Sequence, residues 1–246
     1  MIANKPATIH TSLGPECDVV AKFGPGSDIP CADERLKIGL INGSHILAFN
    51  KFCIDVPQLL LLTLDSYRRQ HEPLDLDDID AALTALHQLP SMYIIFNGGE
   101  PAGCSRVHKH MQLLKAPPVA FSLFSKPDAD RSKVPFRHFV YRSEKGSGFS
   151  ATQMYQGYRE LLLQARQALG LGSDVNSEPC PHNVVIYQNT IIVIPRRKAY
   201  VQGTSANAGG FLGSAWMADE ATAAEWISLG PRHVLAELGL PNGNTA

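Results

Sequence analysis

No apolar run in this chain of 246 residues approaches the ~20 residues that a membrane helix needs. The nearest, LLLLT from Leu59, is short and reads as a buried strand. An excess of charge of one sign is also missing. The formal net charge is -1, which gives no support to nonspecific nucleic-acid binding by a basic surface. Cysteines are few. Cys17, Cys31, Cys53, Cys104 and Cys180 are odd in number, scattered and form no CxxC pair. With no signal-peptide pattern ahead of them, they predict reduced thiols and a cytoplasmic location. No cluster of carboxylates marks a resident metal site. Internal repeats, low-complexity tracts, linkers and coiled-coil heptads are absent too. What remains is an ordinary globular composition, 44% apolar and 18% charged, in a chain long enough to bury a sizeable core.

Met1–Ala32 mixes proline, glycine and polar residues without periodicity and reads as an irregular N-terminal arm; residues 33–246 carry the domain. LKIGLINGSHILAFNKF reads as two strands joined at Asn42-Gly43, a dipeptide suited to a type I′ turn. QLLLLTL follows Pro57 as a third strand. Asp75 to Gln88 predicts a helix, with acidic first turns, Ile79, Leu83 and Leu86 at helical spacing, and Pro90 beyond its end. SMYIIFNGG is a strand entering a glycine turn, and HMQLLKAP is the strand that leaves it. Phe121 to Lys133 reads as a polar surface loop, and FRHFVYR as a strand. Ser150 to Leu169 is an amphipathic helix capped by Gly170. HNVVIYQNTIIVIPRR is a second hairpin turning near Gln188-Asn189. Asp219 to Leu238 is helical, broken at Gly230-Pro231. Hairpins and helices alternate without a βαβ rhythm. This predicts a single α+β domain, a mostly antiparallel sheet with packed helices.

Chemistry concentrates in NGGEPAGCSRVHKHMQ, Asn97 to Gln112. Side chains alternate along a strand, so His108, His110 and Gln112 are expected on one face, roughly 6–7 Å apart in succession. The glycine turn ahead of them brings backbone N–H groups near that face. The combination suits an anion such as a phosphate, held by amides and attacked by an imidazole.

These residues carry a family resemblance. Asn97, Gly103-Cys104-Ser105, His108-Lys109-His110 and Gln112 resemble the H-x-H-x-Q signature of the transferase branch of the histidine-triad superfamily. That branch holds galactose-1-phosphate uridylyltransferase and the diadenosine tetraphosphate phosphorylases, also called ATP adenylyltransferases. FNKFCIDVPQLLLLTLDSYRRQHEPL and PHNVVIYQNTIIVIPRRKAYVQGTSANAGGFLGS are similar to segments of the phosphorylases. The resemblance runs roughly from Leu47 to Ser214. It departs from the pattern at Arg106-Val107, where a small polar residue and proline are common, and at Thr190, where tryptophan is common.

The resemblance implies a histidine-triad-like fold and a nucleotidyltransferase. Such an enzyme cleaves diadenosine tetraphosphate with inorganic phosphate to ATP and ADP. His110 is implied as the nucleophile that takes up the nucleotidyl group, with His108 shaping the site. Gln112 stands where hydrolase branches carry a histidine. An amide cannot give up a proton but can hydrogen-bond a phosphoryl oxygen as charge builds. Asn97, Gly98, Gly99, Gly103, Cys104 and Ser105 form the expected phosphate cradle. Lys51, Lys109, Arg196, Arg197 and Lys198 are candidates to neutralise a polyphosphate, Lys51 by its match to the family's NKF lysine. His182 and Asn183 match the family's HN pair.

Substrate charge calls for a divalent cation, magnesium, with the nucleotide, and no organic cofactor is expected. Expected partners are the nucleotide and phosphate, with no nucleic acid and no membrane, in a monomer or homodimer. Three rival readings stand beside this one. They are a dinucleoside polyphosphate hydrolase or a transferase to another acceptor, a noncatalytic nucleotide sensor, and a zinc module built on His108, His110, Cys180 and His182.

Overall fold

A computed structural model of the protein describes residues 22–31, 33–54, 56–126, 130, 133–143, 150–174 and 178–242. The expected arm before residue 22 and part of the expected loop at 121–133 lie outside them. The strands are β1 Lys37–Ile41, β2 His45–Phe49, β3 Gln58–Thr63, β4 Met92–Gly98, β5 His110–Lys115, β6 Phe139–Arg142, β7 His182–Tyr187 and β8 Thr190–Pro195. They form one sheet in the order β1-β2-β3-β5-β4-β7-β8-β6, antiparallel at every step. The expected α+β class and its mostly antiparallel sheet are therefore present.

Both expected hairpins turn where their sequences allow left-handed backbone. Asn42 and Gly43 have φ 51° and 68°, and Gln188 has φ 50°. Helix α1, Leu76–Gln88, opens with a capping box between Asp75 and Asp78, and α3, Ala151–Ala168, with one between Ser150 and Gln153. In between, the expected loop contains a short helix, α2, Ser122–Ser125. Three helices end the chain: α4 Ala208–Phe211, α5 Glu220–Leu229 and α6 Pro231–Leu238. Gly230 separates the last two with φ 82°, at the break expected there.

Strand alternation divides the buried residues between two faces. Leu59, Leu61, Ile94, Met111, Leu113, Val184 and Val193 pack with Ile79, Ala82, Tyr158 and Leu162 of α1 and α3. Leu61 and Leu113 are completely buried, each worth ~1.5–3 kcal/mol from apolar surface removed from water. The opposite face is covered in two separate patches. Tyr93, Ile95, Leu114, Val185 and Ile192 meet Phe136, Phe211, Trp226 and Leu238 at one end. Ile46, Ala48, Leu60 and Leu62 meet Phe23, Ile29 and Cys31 at the other. So the irregular stretch 22–31 packs on the sheet. His110 and Gln112, opposite Leu62 and Leu60 of β3, belong to the strip between the two patches.

Candidate active site

That uncovered strip is a cleft of about 540 Å³, within the range of small-ligand pockets. His110, Gln112 and Asn97 rise from its floor; Gly103, Cys104, Ser105 and Arg106 form one wall. Lys51 and Phe52 follow β2, Phe23 and Ile29 come from the N-terminal stretch, and Asn207 and Trp216 come from the C-terminal patch. No carboxylate lines it among the described residues, while Lys51 and Arg106 do. The lining therefore suits a polyanion.

His110 lies in the floor, 8% exposed. Its Nδ1 is 2.8 Å from the carbonyl oxygen of His108. A carbonyl only accepts, so Nδ1 carries the proton and the neutral ring keeps a lone pair on Nε2. Burial lowers the ring's proton affinity below the ordinary histidine value, and the nearby positive charge of Arg106 adds to this. The ring is thus neutral and nucleophilic at pH 7.

His108 does not reach the cleft. It is completely buried beneath the stretch 22–31, with Nδ1 2.8 Å from Ser27 Oγ and Nε2 2.9 Å from the carbonyl of Thr63. Asp28 accepts the N–H groups of Val107 and His108, each at 3.0 Å. His108 is therefore a positioning residue whose carbonyl fixes the His110 tautomer. The expectation that both histidines face substrate fails because the arm caps the first.

Gln112 is oriented by Gln58. The Ile54 N–H donates to Gln58 Oε1 at 3.1 Å, so Gln58 offers its amide nitrogen to Gln112 Oε1 at 2.7 Å. This leaves the NH₂ of Gln112 for a ligand oxygen. Gln58 is a buried amide at the head of β3, and its sequence signal is the polar residue that opens the apolar run of QLLLLT.

The glycine turn differs from the expected cradle. The N–H groups of Gly99, Ala102, Gly103 and Cys104 are all spent on carbonyls within the turn. Gly98 and Gly99 are not cleft residues. Gly98 allows close packing, because a Cβ there would stand 3.0 Å from the His182 carbonyl. Gly103 has φ +83°, and a Cβ on it would stand 2.9 Å from the Ala206 carbonyl. Ser105, exposed on the wall, has neither its N–H nor its hydroxyl engaged among the described residues. Burial pushes the Cys104 thiol up to about 11, so it stays protonated.

Asn97 is fixed from behind. Its Oδ1 accepts from Asn183 Nδ2 at 2.8 Å and from the Ala208 N–H at 3.0 Å. Asn183 is buried and acts through Asn97; it does not line the cleft. Its Oδ1 accepts from Arg196 at 2.7 Å. The buried Arg196 guanidinium also donates to the carbonyls of Ala102, Lys198, Ala206 and Leu238 and stacks 4.7 Å from the Phe211 ring. It bonds the turn to the C-terminal segments.

Several expected contacts with substrate are corrected. Arg197 is exposed outside the cleft, and Lys198 pairs with Glu237 at 2.7 Å. Lys109 points to the helix face and pairs with Asp78 at 2.6 Å. His182 is buried, its Nδ1 held by the Cys180 carbonyl and its Nε2 by the Tyr158 hydroxyl. The four side chains of the zinc reading do not converge, and no cluster of three metal-binding side chains occurs among the described residues. Phe52, Asn207, Trp216, Phe23 and Ile29 also line the cleft from stretches that mostly lack periodicity, and Arg106, a departure from the family pattern in sequence, lines it with them. No described helix is long and apolar enough to cross a membrane.

A histidine on a central antiparallel strand faces a cleft that no carboxylate lines among the described residues, which makes it a candidate anion site. The model of the Ap4A phosphorylase N-terminal domain matches residues 26–127, and that of the ATP adenylyltransferase C-terminal domain matches residues 132–241. The chain belongs to the Ap4A phosphorylase family. Protein APA1 of Saccharomyces cerevisiae is 27% identical over 187 residues, 66% of this chain and 57% of that protein. The chain thus spans less than two thirds of this curated relative. The crystal structure of yeast Ap4A phosphorylase Apa2 in complex with AMP is similar with a TM-score of 0.70 and 23% identity, over 86% of this chain and 80% of that one. The same yeast protein in complex with Ap4A gives 0.72 and 22%, over 85% and 79%. At these identities the superpositions establish the fold.

Proposed function

We propose that the protein is an Ap4A phosphorylase that works through a covalent nucleotidyl-histidine on His110. The observation that carries this reading is the His110 tautomer. Its Nδ1–H is bound to the His108 carbonyl, which leaves the Nε2 lone pair at the floor of an anion-suited cleft. Family membership, and the AMP and Ap4A named in the Apa2 complexes, support a nucleotide as the ligand.

In the first step Nε2 attacks the α-phosphorus of one adenosine. An N–P bond forms, the bond to the bridging oxygen breaks, and ATP leaves with that oxygen. In the second step an oxygen of inorganic phosphate attacks the same phosphorus. The N–P bond breaks, ADP leaves and His110 is neutral again. Gln112 and Ser105 donate to phosphoryl oxygens as charge builds, and Lys51 and Arg106 balance the chain of phosphates. No carboxylate lines the cleft among the described residues, so in this reading a magnesium ion comes in on the polyphosphate as part of the substrate.

The test is intact-mass analysis after mixing with Ap4A in the absence of phosphate. One adenylyl group should appear on the wild type and none on His110→Ala. Adding phosphate should then release ADP. AMP release without phosphate would show a hydrolase, and a wild type with no adduct would overturn the reading.

A further inference from the structure

The strands β4 and β5 pair from Met92↔Lys115 to Ile95↔Gln112. Continuing that register would set Asn97 opposite His110. No direct backbone bond forms there. The side-chain amide of Gln70 is inserted between the two strands. Its Oε1 accepts the His110 N–H at 2.8 Å, and its Nε2 donates to the carbonyls of His110 and Asn97, both at 3.0 Å. Gln70 is 3% exposed, and its own N–H is bound to the Val107 carbonyl at 2.9 Å. A carboxamide offers the same donor and acceptor as a peptide group, so it substitutes for a missing strand at this one position.

We infer that Gln70 is a positioning residue that sets the separation between the His110 nucleophile and Asn97, and with it the distance to the turn wall that carries Ser105. Directly paired antiparallel residues have Cα atoms about 4.5–5.5 Å apart. An inserted amide adds about one strand spacing, ~4.8 Å. That widening stands at the end of the sheet where the imidazole and the turn wall must enclose a phosphoryl group. Gln70 is not among the cleft-lining residues, so it acts on the geometry of attack and not on binding.

The inference rests on His110 as the nucleophile, and the test keeps the two apart. Adenylyl-His110 formation from Ap4A without phosphate is followed by rapid quench and intact mass, for wild type, Gln70→Ala and Gln70→Glu, with circular dichroism to report folding. A wild type that forms no adduct sinks the nucleophile, whatever the variants do. With an active wild type, Gln70→Ala should form adduct about 100-fold more slowly while KM stays within about threefold. Gln70→Glu guards against a simple failure of the alanine variant to fold. Only its protonated carboxyl has an O–H, which can donate to one of the two carbonyls while the other oxygen accepts the His110 N–H, so its rate relative to wild type should rise as pH falls. A folded Gln70→Ala with the wild-type rate, or a pH-independent ratio for Gln70→Glu, overturns the inference.

Discussion

Lys109 and Asp78 form a buried ion pair, 2.6 Å from Nζ to Oδ2, on the opposite side of the sheet from the His110 ring. Asp78 also accepts from His45 at 3.0 Å and closes the capping box of α1. Burial alone would raise its pKa, but His45 and Lys109 hold the carboxyl well below the usual carboxylate range. The residue between the two histidines thus bolts the leading end of β5 to the first helix. Alternation then turns His110 toward the cleft.

Removing one partner of this pair leaves a buried charge alone. Lys109→Met is expected to lower unfolding free energy by about 3–5 kcal/mol. Lys109→Met combined with Asp78→Asn should recover part of that loss, because no net charge then remains unpaired. Urea unfolding of wild type and the two variants checks this; equal losses for the single and the double variant would contradict it.

Among the described residues, Lys51 and Arg106 are the cationic side chains that line the cleft. Both are exposed, so each is expected to act on substrate charge more than on folding. Lys51→Ala and Arg106→Ala should each lower kcat/KM for Ap4A by about tenfold, which is ~1.4 kcal/mol of transition-state stabilisation. Thermal midpoints should stay unchanged. Because screening weakens exposed charges, the wild-type advantage should shrink as salt rises.

The parts that were legible in the sequence share one property: they depend on local pattern. Alternation and turn residues placed the strands, Asn42-Gly43 and Gln188-Asn189 marked the hairpins, and Asp75 and Ser150 marked the helix starts. His110 and Gln112 followed from the strand period, and both line the cleft. What stayed hidden depends on segments that meet across long separations. His108 obeys the same period, but Ser27 and Asp28 cover it from an aperiodic stretch. Gln70 satisfies backbone groups 27 and 40 positions away and Arg196 others 2–94 positions away, and no spacing rule reports such pairings.

Arg196 is expected to be the least replaceable residue behind the cleft. Burial pushes its pKa down to about 9, so it remains charged at pH 7 while its donors meet four carbonyls and Asn183. Arg196→Met leaves those acceptors unpaired and should cost at least about 3 kcal/mol. Arg196→Lys restores charge but not the fork of donors, so it should fall between. Urea midpoints order the three proteins; a lysine variant as stable as wild type would show that charge alone matters.

Acid should weaken the fold before it reaches the carboxylates. Burial brings His182 down to about 4, and lowers His108 and His110 as well. Their native forms are neutral, so the unfolded chain takes up protons first, near pH 6.5. Stability is full above that pH and falls as pH drops from 6.5 toward 4, where the native His182 ring is protonated too. For His182 alone the loss reaches about 3 kcal/mol. Asp78 has the opposite sign of charge and its depressed pKa matters only below the unfolded carboxylate value, near 4. The window between pH 6.5 and 4 therefore isolates the histidines. Urea unfolding across it should show a steady decline in wild type and a shallower one in His182→Gln. Adduct formation should stay level from pH 8 to 6.5, since His110 is already neutral there, and decline only at lower pH. A rate that rises through pH 6.5 to 8 would mean that the ring titrates at its ordinary value and is not held neutral by its surroundings.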